Sequence, residues 1–502
     1  MSHISHRRRW NNLALEADYV VVGSGAGGAT VANQLARGGA DVVLVEAGAW
    51  RDPQDYPQSA FGGMRDLMDD FGTTITRGRA LWPVVQARTV GGTTVVNSAI
   101  AVTTPDDIFE LWSERFGIGG EVFRSEVLRF QSELDEELCV EVAPAHTRGR
   151  TNELAMAGSK ALGIEGHYMR RYVKDCEGSG YCMSGCRAGH KKSLNLNFIP
   201  EVLERGGRLL SNAPVKRVVF EGNRATGVVG RFFHPTTKRK GGRFQVRARR
   251  AVVVAASATH SPCLLQRSNL RSPALGRYFR AHPGAGIFGV FEDPVDMNIG
   301  NTQGWASLEH RNKGGFKLET LSVPPEMAMT RLKGGGRKYV ERLADYRHLT
   351  MWVHALRAES TGTVRNGLFD KPAVSYTLDS GDMHRFREGM ATVAKLQFAA
   401  GAKAIIPGIY GLPYKLGPDE VHLIEDGPTD PRNYLAILSH LFGGCVMGTN
   451  PHTSVCDVHG KVHGHEGLYI SDASMIPSVL GVNPQHTIMG LARWVGANLL
   501  ES

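Results

Sequence analysis

Residues 18–28 of the chain read Asp-Tyr-Val-Val-Val-Gly-Ser-Gly-Ala-Gly-Gly, and this stretch predicts the fold of the N-terminal region. The apolar run before Gly23 is typical of a buried parallel strand. A helical pattern follows as far as Arg37, where a glycine pair ends it. A second apolar strand is expected over residues 41–46. The stretch therefore predicts a βαβ unit with a glycine-rich turn between its first strand and its helix.

The glycines of this turn are Gly23, Gly25 and Gly28, which have the G-x-G-x-x-G spacing. In a dinucleotide-binding turn the first glycine permits the tight turn and the second lets a pyrophosphate approach the backbone. The third lets the helix pack on the strand. Free N–H groups at the helix N-terminus then face the phosphates. Glu46 ends the second strand and is placed to accept a ribose hydroxyl. The motif predicts dinucleotide binding and leaves FAD and NAD as alternatives.

The length and charge of the chain exclude some classes of protein. At 502 residues the chain is expected to form two or three domains. Its net charge is +9, and basic residues cluster at 7–9, 238–240 and 247–250. No zinc-finger or RNP pattern accompanies these clusters, so we do not expect nucleic acid binding. We interpret them as solvated faces that also help to hold an anionic ligand.

The cysteines and the hydropathy indicate a cytoplasmic protein. Seven cysteines at no regular spacing are typical of reduced thiols. The basic N-terminal residues are not followed by the apolar stretch of a signal peptide. The sequence also lacks an apolar run of about 18 residues, so no transmembrane segment is expected.

Further glycine-rich and polar stretches occur in the middle and at the end of the chain. They are 88–97 (RTVGGTTVVN), 252–258 (VVVAASA), 439–448 (SHLFGGCVMG), 467–474 (GLYISDAS) and 482–488 (VNPQHTI). Paired glycines and small hydroxyl residues suit a loop that presses against a flat ligand. Asn483 and Pro484 are interpreted as the N-cap and the first residue of a C-terminal helix. Ile488, Leu491, Val495 and Leu499 form the expected buried stripe of that helix.

Taken in order, these stretches resemble the glucose–methanol–choline family of flavin oxidoreductases. The resemblance covers the first 100 residues, about 210–285 and 438–500, which is roughly half of the chain. The H-x-x-G-G-C and V-N-P-x-x-T patterns near the end are most similar to the cholesterol-oxidase and long-chain-alcohol branch. The pair His282-Pro283 also resembles a family segment.

The resemblance implies an α/β fold, with a discontinuous Rossmann-like FAD-binding domain and an inserted α+β substrate-binding domain that contains an antiparallel sheet. The expected segments are 16–105 (first FAD-binding segment), 106–195 (a mixed cap), 196–288 (second FAD-binding segment), 289–428 (substrate-binding domain) and 429–502 (third FAD-binding segment).

The resemblance also implies the catalytic residues. His440 is expected to accept the proton of an alcohol, Asn483 is expected to hydrogen-bond the same oxygen, and the α-hydrogen leaves as a hydride to flavin N5. His486 competes with Asn483 for the second polar position, but it lies three residues farther into the helix. The expected enzyme is an alcohol oxidase or dehydrogenase whose acceptor is oxygen or another molecule. The branch implies a bulky, apolar alcohol.

The residues that the motifs and the resemblance assign to the cofactor are Gly23, Ser24, Gly25, Ala26, Gly27, Gly28, Glu46, Ala47, Arg88, Gly91, Gly92, Asn97, Val215, Ala256, Asp472, Ala473, Asn483, Pro484 and Thr487. Some family members attach the flavin covalently through a histidine just before the position of Asn97. Val96 stands there in this chain, so we expect noncovalent FAD.

Two groups of cysteines and histidines suggest metal binding only weakly. Cys176, Cys182 and Cys186 supply three thiols near His190, whereas structural zinc usually takes four ligands at shorter spacings. Cys456 and the histidines at 459, 463 and 465 lie on an expected hairpin. We interpret both groups as metal-free.

Two alternatives to an alcohol oxidoreductase remain open. One is a flavoprotein lyase or isomerase, in which the flavin acts without net oxidation of the substrate. The other is a basic binding protein that retains an inactive cofactor fold. The presence of both His440 and Asn483 argues against the second alternative.

Overall fold

The computed structural model describes residues 2–6 and 11–501. Its strands are, in chain order, β1 (His3–Ile4), β2 (Leu13–Val22), β3 (Val42–Val45), β4 (Thr76–Arg77), β5 (Val140–Val142), β6 (His167–Tyr168), β7 (Arg170–Tyr172), β8 (Arg208–Leu210), β9 (Val215–Glu221), β10 (Arg224–Phe233), β11 (Lys240–Val254), β12 (Arg280–Val290), β13 (Trp305–Ser307), β14 (Phe316–Leu321), β15 (Leu349–Leu356), β16 (Thr363–Asn366), β17 (Pro372–Ser375), β18 (Ala404–Ile406), β19 (Ala436–Phe442) and β20 (Leu468–Ile470). The basic cluster at 7–9 lies outside the described residues.

The helices are α1 (Ala26–Arg37), α2 (Ala60–Leu67), α3 (Asp106–Phe116), α4 (Glu121–Glu137), α5 (Arg150–Leu162), α6 (Phe198–Glu204), α7 (His260–Arg267), α8 (Pro325–Met329), α9 (Gly336–Ala344), α10 (Ser380–Ala399), α11 (His422–Glu425) and α12 (Gln485–Glu501). Helical periodicity in the sequence also predicts helices near 105–138, 151–162 and 380–400, and α3, α4, α5 and α10 lie in these ranges.

The first sheet is built around the predicted βαβ unit. Its strand order is β1-β8-β3-β2-β11-β10-β9, and β20 also pairs with β11. The pairs of β2 with β3 and with β11 are parallel, as is β11 with β20, whereas β9, β10 and β11 form an antiparallel meander. All four side chains of β3 are buried because both faces of this part of the sheet are covered. Helix α1 packs against α12 on one of these faces.

The second sheet is antiparallel, with the strand order β18-β12-β15-β14-β13-β6. Strand β19 pairs with the first half of β12 and β18 pairs with its second half. Helix α10 packs across β15 and β12 and closes the core of this layer. The pairing brings β19, which carries His440, beside His282 of β12.

The predicted class is therefore confirmed: a mixed α/β structure with a mainly parallel sheet and a separate antiparallel sheet. The boundary expected between residues 288 and 289 falls inside β12, so the proposed bounds of the domains stay a prediction. In the described residues, no helix has the length and apolar character that crossing a membrane requires.

Helix α12 begins at Gln485, one residue later than the sequence predicts. The carbonyl of Pro484 accepts the first helical hydrogen bond, from the N–H of Ile488 at 2.9 Å. Asn483 therefore lies outside the helix. Its side-chain oxygen binds another partner, described below, instead of capping the helix.

Candidate active site

The glycine-rich turn has one face packed against protein and one face open. A Cβ atom at Gly23 would lie 2.2 Å from the carbonyl oxygen of Ala255, and one at Gly28 would lie 1.9 Å from that of Gly23. A Cβ atom at Gly25 would meet nothing nearer than the Cα of Gly92 at 3.9 Å. Gly25 is the N-cap residue of α1, and no side chain caps the free N–H groups of this helix end. The open face therefore presents free helix N–H groups, as an anion-binding turn requires.

A cavity of 1420 Å³ lies in front of this open face. Most of the residues expected at the cofactor line it: Gly23, Ser24, Gly25, Ala26, Gly27, Glu46, Ala47, Arg88, Gly92, Val215, Ala256, Asp472 and Ala473. Segments from the beginning, middle and end of the chain thus meet at one cavity. Its walls and the helix N-terminus fit a long anionic dinucleotide.

Other expected cofactor residues lie behind the lining. Gly28 packs under the turn, and the N–H of Gly91 donates to Ser24 Oγ at 3.1 Å. Asn97 Nδ2 donates to Gln485 Oε1 at 2.5 Å, which ties the 88–97 loop to the start of α12. Thr487 is fully buried against Thr104, 2.8 Å away between their hydroxyl oxygens.

Glu46 is buried at the end of β3 and holds the turn in place. Its Oε2 accepts hydrogen bonds from the backbone N–H and the hydroxyl of Ser24, at 3.0 and 2.7 Å. Its Oε1 accepts one from the N–H of Gly48 at 2.7 Å. The carboxylate therefore also shapes the loop that faces the cavity, beyond the ribose contact that the sequence suggests.

Asp472 joins the end of β20 to the loop after β11. It accepts hydrogen bonds from the N–H of Ser257 at 2.8 Å, from the N–H of Ser474 at 2.7 Å and from the hydroxyl of Ser261. Burial raises the pKa of the Asp472 carboxyl, and these hydrogen bonds oppose that rise. The residue fixes two walls of the cavity against each other.

His440 is half-buried on β19 and contacts His282 edge-on, with their Nδ1 atoms 3.3 Å apart. Burial, together with the positive charge of Lys317, lowers the pKa of His440 to about 3. The imidazole is therefore neutral at physiological pH. The contact occupies its Nδ1 edge, and no hydrogen bond to Nε2 is found in the described residues.

His282 connects the two segments that carry the expected catalytic residues. The N–H of Gly481, two residues before Asn483, donates to Nε2 of His282 at 2.9 Å. Beyond His440, the N–H of Gly443 donates to the carbonyl of Ala473, a cavity residue, at 3.2 Å. The structure thus brings the 439–448 and 482–488 stretches together at the side of the cavity.

Asn483 is buried, and its Oδ1 accepts a hydrogen bond from Nζ of Lys317 at 2.7 Å. Lys317 Nζ also donates to Glu319 Oε1 at 2.8 Å. Sequence reasoning missed this pair. Alternating charges in the strand Phe-Lys-Leu-Glu-Thr-Leu are typical of a solvent-facing edge, whereas both side chains here are almost fully buried.

His486 faces away from this site. Its Nδ1 lies 2.6 Å from the Tyr172 hydroxyl, and its Nε2 lies 3.4 Å from Asp135. Burial lowers the pKa of the His486 imidazole to about 4. Its ring nitrogens are directed at protein partners, which favours Asn483 for the second polar position.

The thiols of Cys176, Cys182 and Cys186 line a small pocket together with His190 and Lys191. Lys191 Nζ donates to the carbonyls of Asn97 and Cys182, at 2.9 and 2.7 Å. Burial raises the pKa of the Cys182 thiol, but Arg171 and Lys191 outweigh it and bring that pKa down to about 7. In the described residues, no group of three or more histidine, cysteine or acidic side chains is placed to hold a metal ion.

The fold and the cavity together define a dinucleotide-binding protein of the mixed α/β class. Family models identify the family. The N-terminal and C-terminal models of the GMC oxidoreductases match residues 17–284 and 358–492. The chain belongs to the GMC oxidoreductase family, and its cofactor is FAD. The resemblance seen in the sequence is thereby confirmed.

Individual relatives agree with this assignment. An uncharacterised GMC-type oxidoreductase of Mycobacterium tuberculosis H37Rv is 32% identical over 481 residues, covering 95% of this chain and 74% of the relative. A long-chain-alcohol oxidase of Arabidopsis thaliana is 26% identical, covering 100% and 69%. Choline oxidase of Arthrobacter globiformis is 25% identical, covering 94% and 92%.

Solved structures share the fold at lower identity. Pyridoxine 4-oxidase from Mesorbium loti superposes with a TM-score of 0.73 at 16% identity, covering 96% of this chain and 98% of the other. A variant of formate oxidase from Aspergillus oryzae gives 0.73 at 16% identity, covering 97% and 98%.

Proposed function

We propose that this enzyme oxidises the CH–OH group of an alcohol, with His440 as the acceptor of the hydroxyl proton. Bound FAD supplies the hydride acceptor, flavin N5. The observation that carries the proposal is the meeting of the His440 and Asn483 segments at His282, beside a cavity whose glycine-rich turn fits FAD. The relatives named for long-chain-alcohol and choline oxidation support an alcohol substrate.

The low pKa of His440 keeps its imidazole unprotonated before an alcohol binds. Because burial and the charge of Lys317 hold this pKa near 3, the ring is neutral in the resting enzyme. A proton taken from the alcohol is then released readily once the product leaves. Positioned proton transfer of this kind contributes about 10²–10⁴-fold to a rate.

The contact with His282 sets a requirement on this proton transfer. Because the N–H of Gly481 donates to Nε2 of His282, neutral His282 carries its proton on Nδ1, facing Nδ1 of His440. His440 accepts a proton at Nε2 only if its own proton is on Nδ1, and the two N–H groups would then face each other. At 3.3 Å the contact is longer than a normal hydrogen bond, so this tautomer requires the two Nδ1 atoms to move apart.

We infer that the FAD is held noncovalently and that the alcohol is bulky and apolar. Val96 is buried where a histidine would attach the flavin, and its side chain has no nucleophilic atom. The similarity to long-chain-alcohol oxidases supports an apolar substrate. The final electron acceptor in this proposal is oxygen or another acceptor.

The test is anaerobic mixing of the purified yellow enzyme with a series of alcohols, from short to long-chain and sterol-like. Loss of the flavin absorbance with formation of the carbonyl product supports the proposal. His440→Ala should keep the bound flavin and slow its reduction at least about a hundredfold. His452→Ala, at an exposed histidine, is the matched control and should reduce at the wild-type rate. Turnover without net flavin reduction by any alcohol would instead indicate a lyase or isomerase.

A further inference from the structure

Lys317 is a buried cation at the centre of the antiparallel sheet. Its side chain is 1% exposed and that of Glu319, its ion-pair partner, is 3% exposed. The two residues are two positions apart on β14, so they project from the same face of the strand. On that face the Lys317 ammonium reaches across to Asn483 at the entrance to α12.

Stability alone does not account for this pair. Moving two charges out of water is costly, and replacing a buried ion pair by apolar residues is often neutral or stabilising. Among the described contacts, Lys317 Nζ has one hydrogen-bond partner besides Glu319, the amide oxygen of Asn483. The buried ammonium is therefore placed to hold the Asn483 side chain.

We propose that Lys317 is a positioning residue that holds the Asn483 amide with its oxygen turned away from the substrate and its Nδ2 turned toward it. This inference rests on the proposed function. An asparagine amide has an acceptor end and a donor end of nearly the same shape, so packing alone does not select one orientation. An ammonium group selects it, because Nζ has only donors. Turning the amide over would set donor against donor in a buried site.

The fixed orientation gives the two catalytic groups complementary tasks. As the alcohol reacts, its O–H bond breaks and the proton goes to Nε2 of His440. The α C–H bond breaks, its electron pair and hydrogen go to the bound cofactor as a hydride, and a C=O bond forms. Asn483 neither gains nor loses a proton. Its N–H donates to the oxygen while negative charge develops there, which is where a preorganised donor lowers the barrier most.

The ammonium acts on His440 as well. Its positive charge lowers the pKa of the His440 imidazole, so the ring stays unprotonated, and able to take the alcohol proton, down to lower pH. Glu319 holds the ammonium at the required place and balances its charge.

The experiment is a double-mutant cycle on the holoenzyme, measured as the limiting rate of flavin reduction by the best alcohol. Lys317→Met removes the donor and keeps the length of the side chain. We expect its limiting rate to fall by about a hundredfold, in line with misplacement of a catalytic group, with KM changed much less. In an Asn483→Ala background the same substitution should have no further effect, because no amide is left to orient. Lys313→Met, at an exposed lysine, is the control.

The pH profile separates positioning from a structural role. Removing the cation should raise the pKa of His440, so the acid limb of the rate profile in Lys317→Met should move to higher pH. If Lys317→Met does not fold, Lys317→Met with Glu319→Met removes both charges and is expected to fold. This double variant should show the same loss of rate.

The outcomes are distinguishable. A wild-type enzyme that no alcohol reduces overturns the proposed function. A wild-type enzyme that is reduced, with a Lys317→Met variant of unchanged rate, overturns this inference alone. Equal losses from Lys317→Met with and without Asn483 would also overturn it, because the lysine would then act independently of the amide.

Discussion

A Cβ atom placed on Gly92 would lie 2.6 Å from the Cα of Gly25, so the two glycine-rich loops touch through their backbones. A side chain at Gly25 meets no such obstacle. A Cβ atom added there would point into the cavity, 3.9 Å from the nearest atom. Gly25 also has a φ of −74°, which any residue adopts. Its lack of a side chain therefore serves the ligand and not the fold.

Gly25→Ala should fold normally and bind FAD weakly. The added methyl group occupies the space through which a pyrophosphate approaches the helix N-terminus. Titration of the apoprotein with FAD, followed by flavin fluorescence, should show at least a tenfold weaker affinity, which corresponds to about 1.4 kcal/mol. Thermal unfolding of the apoprotein should match the wild type.

Gly28→Ala is the matched comparison for that variant. Its Cβ would lie 1.9 Å from the carbonyl oxygen of Gly23, so it should lower the stability of the apoprotein itself. We therefore expect Gly25→Ala to weaken FAD binding without loss of stability, and Gly28→Ala to lower the stability of the fold. Wild-type affinity of Gly25→Ala for FAD would place the pyrophosphate elsewhere.

FAD should leave the protein completely upon denaturation. Val96 offers no group for a covalent bond to the flavin. Acid precipitation should leave a colourless pellet and a yellow supernatant whose flavin has the mass of unmodified FAD. A yellow pellet after washing would show a covalent link at another residue.

Tyr172→Phe should destabilise the protein and spare the chemistry. The substitution leaves Nδ1 of His486 without its 2.6 Å partner in a fully buried site. An unsatisfied buried polar group costs about 1–3 kcal/mol, which thermal unfolding would detect. The limiting rate of flavin reduction should stay within a few-fold of the wild type, and a hundredfold loss would give His486 a part in the chemistry.

The residues that the sequence predicts well carry local signals. The turn around Gly23 and Gly25 is predictable because strand, glycine spacing and helix adjoin in the chain. Lys317 and Glu319 are not predictable in the same way, since their alternation in β14 has the pattern of an exposed strand face. Long-range packing buries them, including the contact of Lys317 with Asn483 at the entrance to α12, and no local pattern reports that packing.

The same reason explains the misplaced start of α12. Asn483 has the residue type of an N-cap, and a local analysis assigns it that role. In the structure its oxygen binds Lys317, which is distant in sequence, and the helix begins at Gln485. The order of strands in both sheets likewise depends on contacts between remote segments. The resemblance implied a discontinuous domain and an antiparallel sheet, but neither it nor the residue patterns predicted the order of the strands.

Acid should destabilise the protein partly through His354. This residue is fully buried on β15, with its ring 4.5 Å from that of Phe386, and in the described residues neither ring nitrogen has a hydrogen-bond partner of normal geometry. Burial lowers the pKa of His354 to about 3, although the backbone of Ala285 opposes this. An unfolded chain protonates the same group near pH 6.5.

Between these two values the unfolded state binds a proton that the folded state does not. The free energy of unfolding therefore falls as pH drops below about 6.5, by about 1.4 kcal/mol per pH unit for this group. His354→Phe keeps the ring shape and removes the titration, so it should lose less stability between neutral pH and about pH 5. The measurement is the difference in thermal midpoint between the two pH values. His452→Gln, at an exposed histidine, should retain the wild-type difference, and an unchanged difference in His354→Phe would mean that the buried imidazole already titrates as it does in water.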